Sequence, residues 1–123
     1  METTIYYPTE HPEVTVVEVH GDVTVGESGC GVLSRLFGSL LAGGDRFMVV
    51  DLHAASEIAE GAYAELLGLY GRLRLRGGDL VLVAPPGEVL KALHAVGFDK
   101  LTLILDDTEM AVEQAAVKAG APQ

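Results

Sequence analysis

A hydroxyl and two carboxylates lie close together in the middle of the chain, in the segment Ser56-Glu57-Ile58-Ala59-Glu60. A hydroxyl can accept a phosphate, and a carboxylate can contact a basic patch on a partner. No Ser-His-Asp or Cys-His set accompanies these residues in the local sequence. The chain is therefore not predicted to be an enzyme, and no catalytic residue is assigned.

Metal and cofactor sites are not expected either. The four histidines have no spacing that would place two on one helix face, and Cys30 is the only cysteine. The glycine-rich stretch at 26–31 precedes a predicted helix but lacks the Gly-Lys-Ser/Thr ending of a phosphate-binding loop. It is interpreted as a flexible start to that helix.

The segment at 56–60 lies between a predicted strand and a predicted helix. Residues 48–52 are a short apolar run of β-formers, and from Ile58 the apolar residues recur at three- and four-residue steps. Gly77-Gly78 ends this helix, and Asp79–Val83 is the next strand. Strand, helix and strand in this order form a βαβ unit with parallel strands. Residues 56–60 are then the loop at the carboxyl end of a strand, where α/β sheets usually carry function.

The rest of the chain continues the alternation of strands and helices. Further strands are predicted at 5–7, 14–20 and 101–105, and further helices at 28–41, 89–96 and 106–119. The order β, β, α, β, α, β, α, β, α predicts one α/β domain with a four- to five-stranded mixed sheet and about four helices. The ends, 1–12 and 119–123, are expected to be loosely ordered.

Composition narrows the possible partners. The net charge is −10 with only eight Lys and Arg, so the surface repels nucleic-acid phosphates and anionic membranes. No apolar run approaches the ~20 residues that span a bilayer. One cysteine fits a reducing compartment, so a cytoplasmic protein without nucleic-acid or membrane contacts is expected.

Five segments carry a resemblance to a known bacterial family. They are VEVHGDV at 17–23, VVDL at 49–52, RGGDLVLV at 76–83, VLKALHAVGFDKL at 89–101 and LDDTEMAV at 105–112. Their order and spacing resemble the STAS domain, the fold of anti-sigma factor antagonists (anti-anti-sigma factors). The resemblance implies one STAS-like domain over 1–123, with its core at about 14–117.

The family's functional motif is degenerate in this chain. In the family, Asp-Ser-Ser/Thr-Gly opens the helix after the central strand, and its first Ser or Thr is phosphorylated by an anti-sigma kinase. Counting eight residues on from Asp51 places the motif on Ala59-Glu60-Gly61-Ala62, with Glu60 at the phosphoacceptor position. A one-residue slip would bring Ala59 onto the acceptor instead. Neither register provides a hydroxyl.

Glu60 leaves three interpretations open. Phosphoserine carries about −1.5 to −2 charges, and glutamate places one charge at nearly the same point. Negative charge in the first turn of a helix is favoured by ~0.3–1 kcal/mol. Glu60 could therefore imitate the phosphorylated state and weaken docking, or anchor a basic patch on the partner. It could also be an ordinary first-turn residue with neither role.

Ser56 is the nearest hydroxyl, four residues before Glu60. It is predicted to act as an N-cap of a helix starting at Glu57, in place of the cap lost at Ala59. A displaced phosphorylation site is the alternative.

The resemblance implies a non-catalytic protein-interaction module of sigma factor and transcription regulation. It would dock on an anti-sigma factor or a serine/threonine protein kinase through residues 56–63. The expected contact residues are Ser56, Glu57, Ala59, Glu60, Gly61 and Ala62. Two alternatives remain: a structural subunit of a stressosome-like or lipid-transport assembly, and a small-ligand sensor with a pocket near 56–60. A homodimer is also left open.

Overall fold

The structure, a computed structural model, describes residues 1–23 and 31–120, with the backbone alone of Val32. The strands are β1 (Glu2–Tyr6), β2 (Val14–Val23), β3 (Phe47–Ile58), β4 (Asp79–Val83) and β5 (Ile104–Leu105). The helices are α1 (Val32–Ala42), α2 (Glu60–Leu75), α3 (Glu88–Ala95) and α4 (Thr108–Lys118), with a 3₁₀ turn at Phe98–Lys100. The predicted order is confirmed. The predicted helix start at 28 and the glycine-rich stretch up to Cys30 lie outside the described residues.

The strands form one sheet in the order β1-β2-β3-β4-β5. β1 is antiparallel to β2 and the other neighbours are parallel, so the predicted mixed sheet is confirmed. The sequence pattern suggested that residues 1–12 are loosely ordered, but Glu2–Tyr6 pairs with β2 from His20 back to Val16. Main-chain hydrogen bonding to the sheet edge orders this segment although most of its side chains are exposed.

Helices cover both faces of the sheet. Alternate β3 residues, such as Val50 and Leu52, pack with α1, α2 and α3, whereas Val49 packs on the other face with α4. The α4 contact includes three alanines, which let the helix approach the strands closely. Because both faces are covered, all five residues of β4 are buried. Each fully buried Val or Leu contributes ~1.5–3 kcal/mol, so this double layer carries most of the hydrophobic stabilisation.

β3 runs to Ile58, beyond the predicted end at Leu52. Phe47 to Asp51 pair with both β2 and β4, whereas Ala54 to Ile58 pair with β2 alone. Two register shifts against β2 occur beyond Asp51, one before Ala54 and one between Ala55 and Ile58. The predicted loop at 56–60 is therefore wrong, because only Ala59 separates the strand from α2. β2 continues past the end of β4, and its main-chain groups outweigh the weak strand preference of Ala-Ala-Ser-Glu.

β4 begins at a carboxylate that joins both helical layers. Asp79 Oδ2 accepts hydrogen bonds from Lys118 Nζ of α4 at 3.0 Å and from Arg74 Nη1 of α2 at 3.4 Å. The preceding Gly78 passes so close to Arg46 that a Cβ would lie 1.8 Å from the Arg46 carbonyl oxygen. Only glycine allows this approach, which lets the Asp79 N–H donate to the same oxygen at 3.0 Å.

Candidate functional site

The predicted contact residues lie at the outer end of β3 and in the first turn of α2. Ser56, Glu57, Glu60 and Gly61 are exposed, Ala59 is half-buried, and Ala62 is fully buried. Ala62 belongs to the core that α2 forms with the sheet. It therefore offers a partner no surface, and its predicted contact role is not supported. Of the other five residues, Ser56, Glu57, Glu60 and Gly61 are exposed to a partner, and Ala59 is partly so.

The start of α2 has no side-chain cap. Ala59 is the N-cap residue, with extended backbone angles (φ −62°, ψ 146°), and its methyl group cannot accept a hydrogen bond from the helix. Its N–H donates to the Val23 carbonyl at 2.8 Å, which ties the helix start to the end of β2. The prediction that Ser56 caps the helix is wrong, because Ser56 lies inside β3 and the helix begins at Glu60 rather than Glu57.

Glu60 gives this helix start a fixed negative charge. It is the first residue of α2 and the acidic residue of its first turn, and its side chain is exposed. The positive end of the helix dipole favours a carboxylate there. Residues 59–62 contain no hydroxyl that could form a phosphate ester. The arrangement can therefore present a charge but cannot switch it by phosphorylation at this position.

A groove of about 510 Å³ adjoins this segment. One wall is formed by the ends of β2 and β3, including Asp22 and Glu57, and the other by the first turns of α3, including Glu88. Apolar side chains between the walls, among them Ile58 and Val89, are half-buried. The groove thus combines an apolar floor with carboxylates at its rim.

Tyr63 of α2 also lines the groove. Burial raises the pKa of its phenol above the usual value of 10.0. The ring therefore stays neutral at physiological pH, and the negative charge of the groove comes from the carboxylates. These carboxylates oppose a nucleotide or another anionic ligand, which weakens the small-ligand interpretation.

On the opposite face of the sheet from the groove, a buried polar cluster fixes β3 to α4. The Asp51 carboxylate is 1% exposed. Its Oδ2 accepts a hydrogen bond from Thr108 Oγ1 at 2.7 Å, and its Oδ1 accepts one from the His53 main-chain N–H at 3.0 Å. The His53 ring Nδ1 lies 2.8 Å from the same Oδ1. Asp51 is thus a hydrogen-bonded interior residue of β3.

Sequence reasoning missed the far side of the groove. Asp22 lies inside β2, one residue before its carboxyl end, and the rule that parallel strands expose function at this edge could have pointed to it. Glu88 and Val89 carry no comparable signal. They reach the groove only because α3 packs beside the end of β3, about thirty residues before them in the chain.

The described residues were also considered as a metal site and as a membrane span, and they fit neither. Within 1–23 and 31–120, no three His, Cys, Asp or Glu side chains gather closely enough to hold a metal ion. Among the helices of the same residues, none combines the length and apolar character that crossing a bilayer requires.

Solved structures with this fold include several anti-sigma factor antagonists. One from Mycobacterium paratuberculosis is 21% identical with a TM-score of 0.78, covering 93% of this chain and 92% of that one. The anti-sigma factor antagonist SpoIIAA in its unphosphorylated form is 15% identical with a TM-score of 0.67, covering 98% and 100%. The Bacillus cell fate determinant SpoIIAA in its phosphorylated form is 14% identical with a TM-score of 0.69, covering 92% and 98%.

At these identities the solved structures show the fold. No curated protein sequence matches this chain. The sequence pattern of the STAS domain matches residues 8–115, which is most of the chain. Together with the mixed sheet and its helices, this match shows that the chain belongs to the STAS domain family.

Proposed function

We propose that this chain is a non-catalytic interaction module that binds an anti-sigma factor, or a kinase of that class, in the cytoplasm. The contact surface consists of Ser56, Glu57, Ala59, Glu60 and Gly61. The observation that carries the proposal is the exposed Glu60 at the first position of α2. Membership of the STAS family and the shared fold of solved anti-sigma factor antagonists support it.

Glu60 acts in this proposal as an anchor for a basic surface of the partner. Its carboxylate is exposed, and the neighbouring Glu57 adds a second exposed charge of the same sign. Two adjacent negative charges attract a cationic surface and raise its rate of association. Because residues 59–62 lack a hydroxyl, phosphorylation there does not interrupt the docking.

The test uses purified candidate anti-sigma factors and isothermal calorimetry with wild type, Glu60→Gln, Glu60→Lys and Glu60→Ser. We expect Glu60→Lys to weaken binding about tenfold, because it turns an attractive charge pair into a repulsive one. A kinase assay on the same proteins should label Glu60→Ser but not segment 56–62 of the wild type.

The matched control is Glu109→Lys, since Glu109 is also exposed in the first turn of a helix, on the opposite face of the sheet. It changes the net charge equally and should leave the affinity nearly unchanged. Tighter binding by Glu60→Gln would instead identify Glu60 as an imitation of the phosphorylated state. Equal affinities for all four proteins would remove segment 56–61 from the contact.

A further inference from the structure

The groove beside Glu60 has a charge pattern that its own residues do not neutralise. Asp22, Glu57 and Glu88 stand at its rim, and all three are exposed. No Lys or Arg lines the groove among the described residues, and 24–30 contain none in sequence. An ion pair at this rim, Lys91 Nζ to Glu88 Oε1 at 3.6 Å, joins two highly exposed side chains. Such a pair contributes little and is readily exchanged.

The positive poles at the amino ends of α2 and α3 do not cancel the negative charge of the groove. The amino ends of α2 and α3 each carry about half a positive charge. Glu60 and Glu88, in their first turns, offset these poles with one full negative charge each. Asp22 and Glu57 form no ion pair with any residue of 1–23 or 31–120, and these two charges give the groove an attraction for cations.

The apolar floor of the groove places a second requirement on its ligand, in addition to positive charge. Val23 is buried, while Ile58, Tyr63 and Val89 are half-buried around the open space. A hydrated metal ion or a simple ammonium ion would leave this apolar surface uncovered. A long side chain with an aliphatic stem and a cationic head would cover the floor and reach the rim carboxylates.

From this combination we infer that the groove binds an arginine-bearing segment of the partner protein, with the guanidinium between Glu57 and Asp22 and the stem over Ile58 and Val89. The inference rests on the proposed function and specifies the chemistry of the partner. Arginine fits better than lysine because its planar fork can pair with carboxylates bidentately and stack on an aromatic ring such as Tyr63.

The experiment titrates the whole ¹⁵N-labelled chain with blocked tripeptides and follows its amide spectrum. The probes are acetyl-Leu-Arg-Leu-amide, acetyl-Leu-Gln-Leu-amide and acetyl-Leu-Glu-Leu-amide. We expect the arginine peptide to shift the amides of Val23, Ile58 and Val89, with an affinity about tenfold above the glutamine peptide. The glutamate peptide should not bind.

The double variant Asp22→Asn, Glu57→Gln should lower the arginine peptide's affinity about tenfold and flatten its salt dependence. The matched control is the double variant Glu109→Gln, Glu113→Gln, whose two glutamates are exposed on α4. It should change neither the affinity of the arginine peptide nor the salt dependence of its binding. Equal binding of the arginine and glutamine peptides, or shifts away from the groove, would overturn the inference. Because these probes report the groove without the anti-sigma factor, that failure would leave docking through Glu60 standing. Peptide binding without any anti-sigma binding would refute the proposed function instead.

Discussion

The two halves of β3 differ in almost every respect although they belong to one strand. The inner half, Phe47 to Asp51, pairs with neighbours on both sides, and four of its five residues are buried. The outer half, Ala54 to Ile58, pairs with β2 alone and has no fully buried residue. The inner half holds the sheet together, whereas the outer half carries exposed residues beyond it to the start of α2. A single strand thus connects the core to the proposed docking surface.

The largest expected difference between the halves concerns the core. Met48→Ala, in the fully buried inner half, should lower the free energy of unfolding by about 2–5 kcal/mol because it leaves a cavity. The matched change Ile58→Ala, in the half-buried outer half, should cost about 1 kcal/mol. Urea unfolding followed by circular dichroism measures both. Equal losses would mean that the outer half contributes to the core as much as the inner half.

A smaller effect is expected where the outer half meets α2. Ala59→Ser places a hydroxyl at an N-cap position that has extended backbone angles and no side-chain hydrogen bond. It should raise the free energy of unfolding by about 1 kcal/mol, because the hydroxyl can accept from an unpaired helix N–H. Ala119→Ser, at the opposite end of a helix, is the control and should give no gain. If the two variants are equally stable, the start of α2 is already satisfied in another way.

The smallest effect belongs to Ser56. Because Ser56 is exposed within β3 and does not cap α2, Ser56→Ala should change the free energy of unfolding by less than about 0.5 kcal/mol. The same urea experiment can resolve this from the loss of about 1 kcal/mol that a capping serine would show. A loss of that size would restore the predicted capping role and shorten the outer half of β3.

The fold could be predicted because its strongest signals are local. The β4 run Leu80-Val81-Leu82-Val83 is apolar throughout, as a strand covered on both faces must be, and the stripe of α2 repeats at helical spacing. The outer half of β3 gave no such signal. Ala54, Ala55 and Ser56 have no strand preference, and only their pairing with β2 makes them a strand.

The site was predictable only in part, for a related reason. Glu60 could be located from the sequence because it lies a fixed number of residues after Asp51 in the resemblance to the STAS motif. The groove could not, because Asp22, Glu57 and Glu88 come from three elements that meet only in the folded domain. The inward role of Asp51 likewise depends on Thr108, which lies 57 residues away in the chain.

The contacts of Asp79 with α2 and α4 limit how far the binding of a partner can shift the two helical layers. A single carboxylate receives cations from helices on opposite sides of the sheet, at the amino ends of the parallel strands. Both helical layers are thereby hydrogen-bonded to one residue at the rim of the sheet farthest from the groove. A protein bound at the other rim can reshape side chains locally while the layers keep their separation. The domain should act as a rigid platform, with adjustment confined to one side.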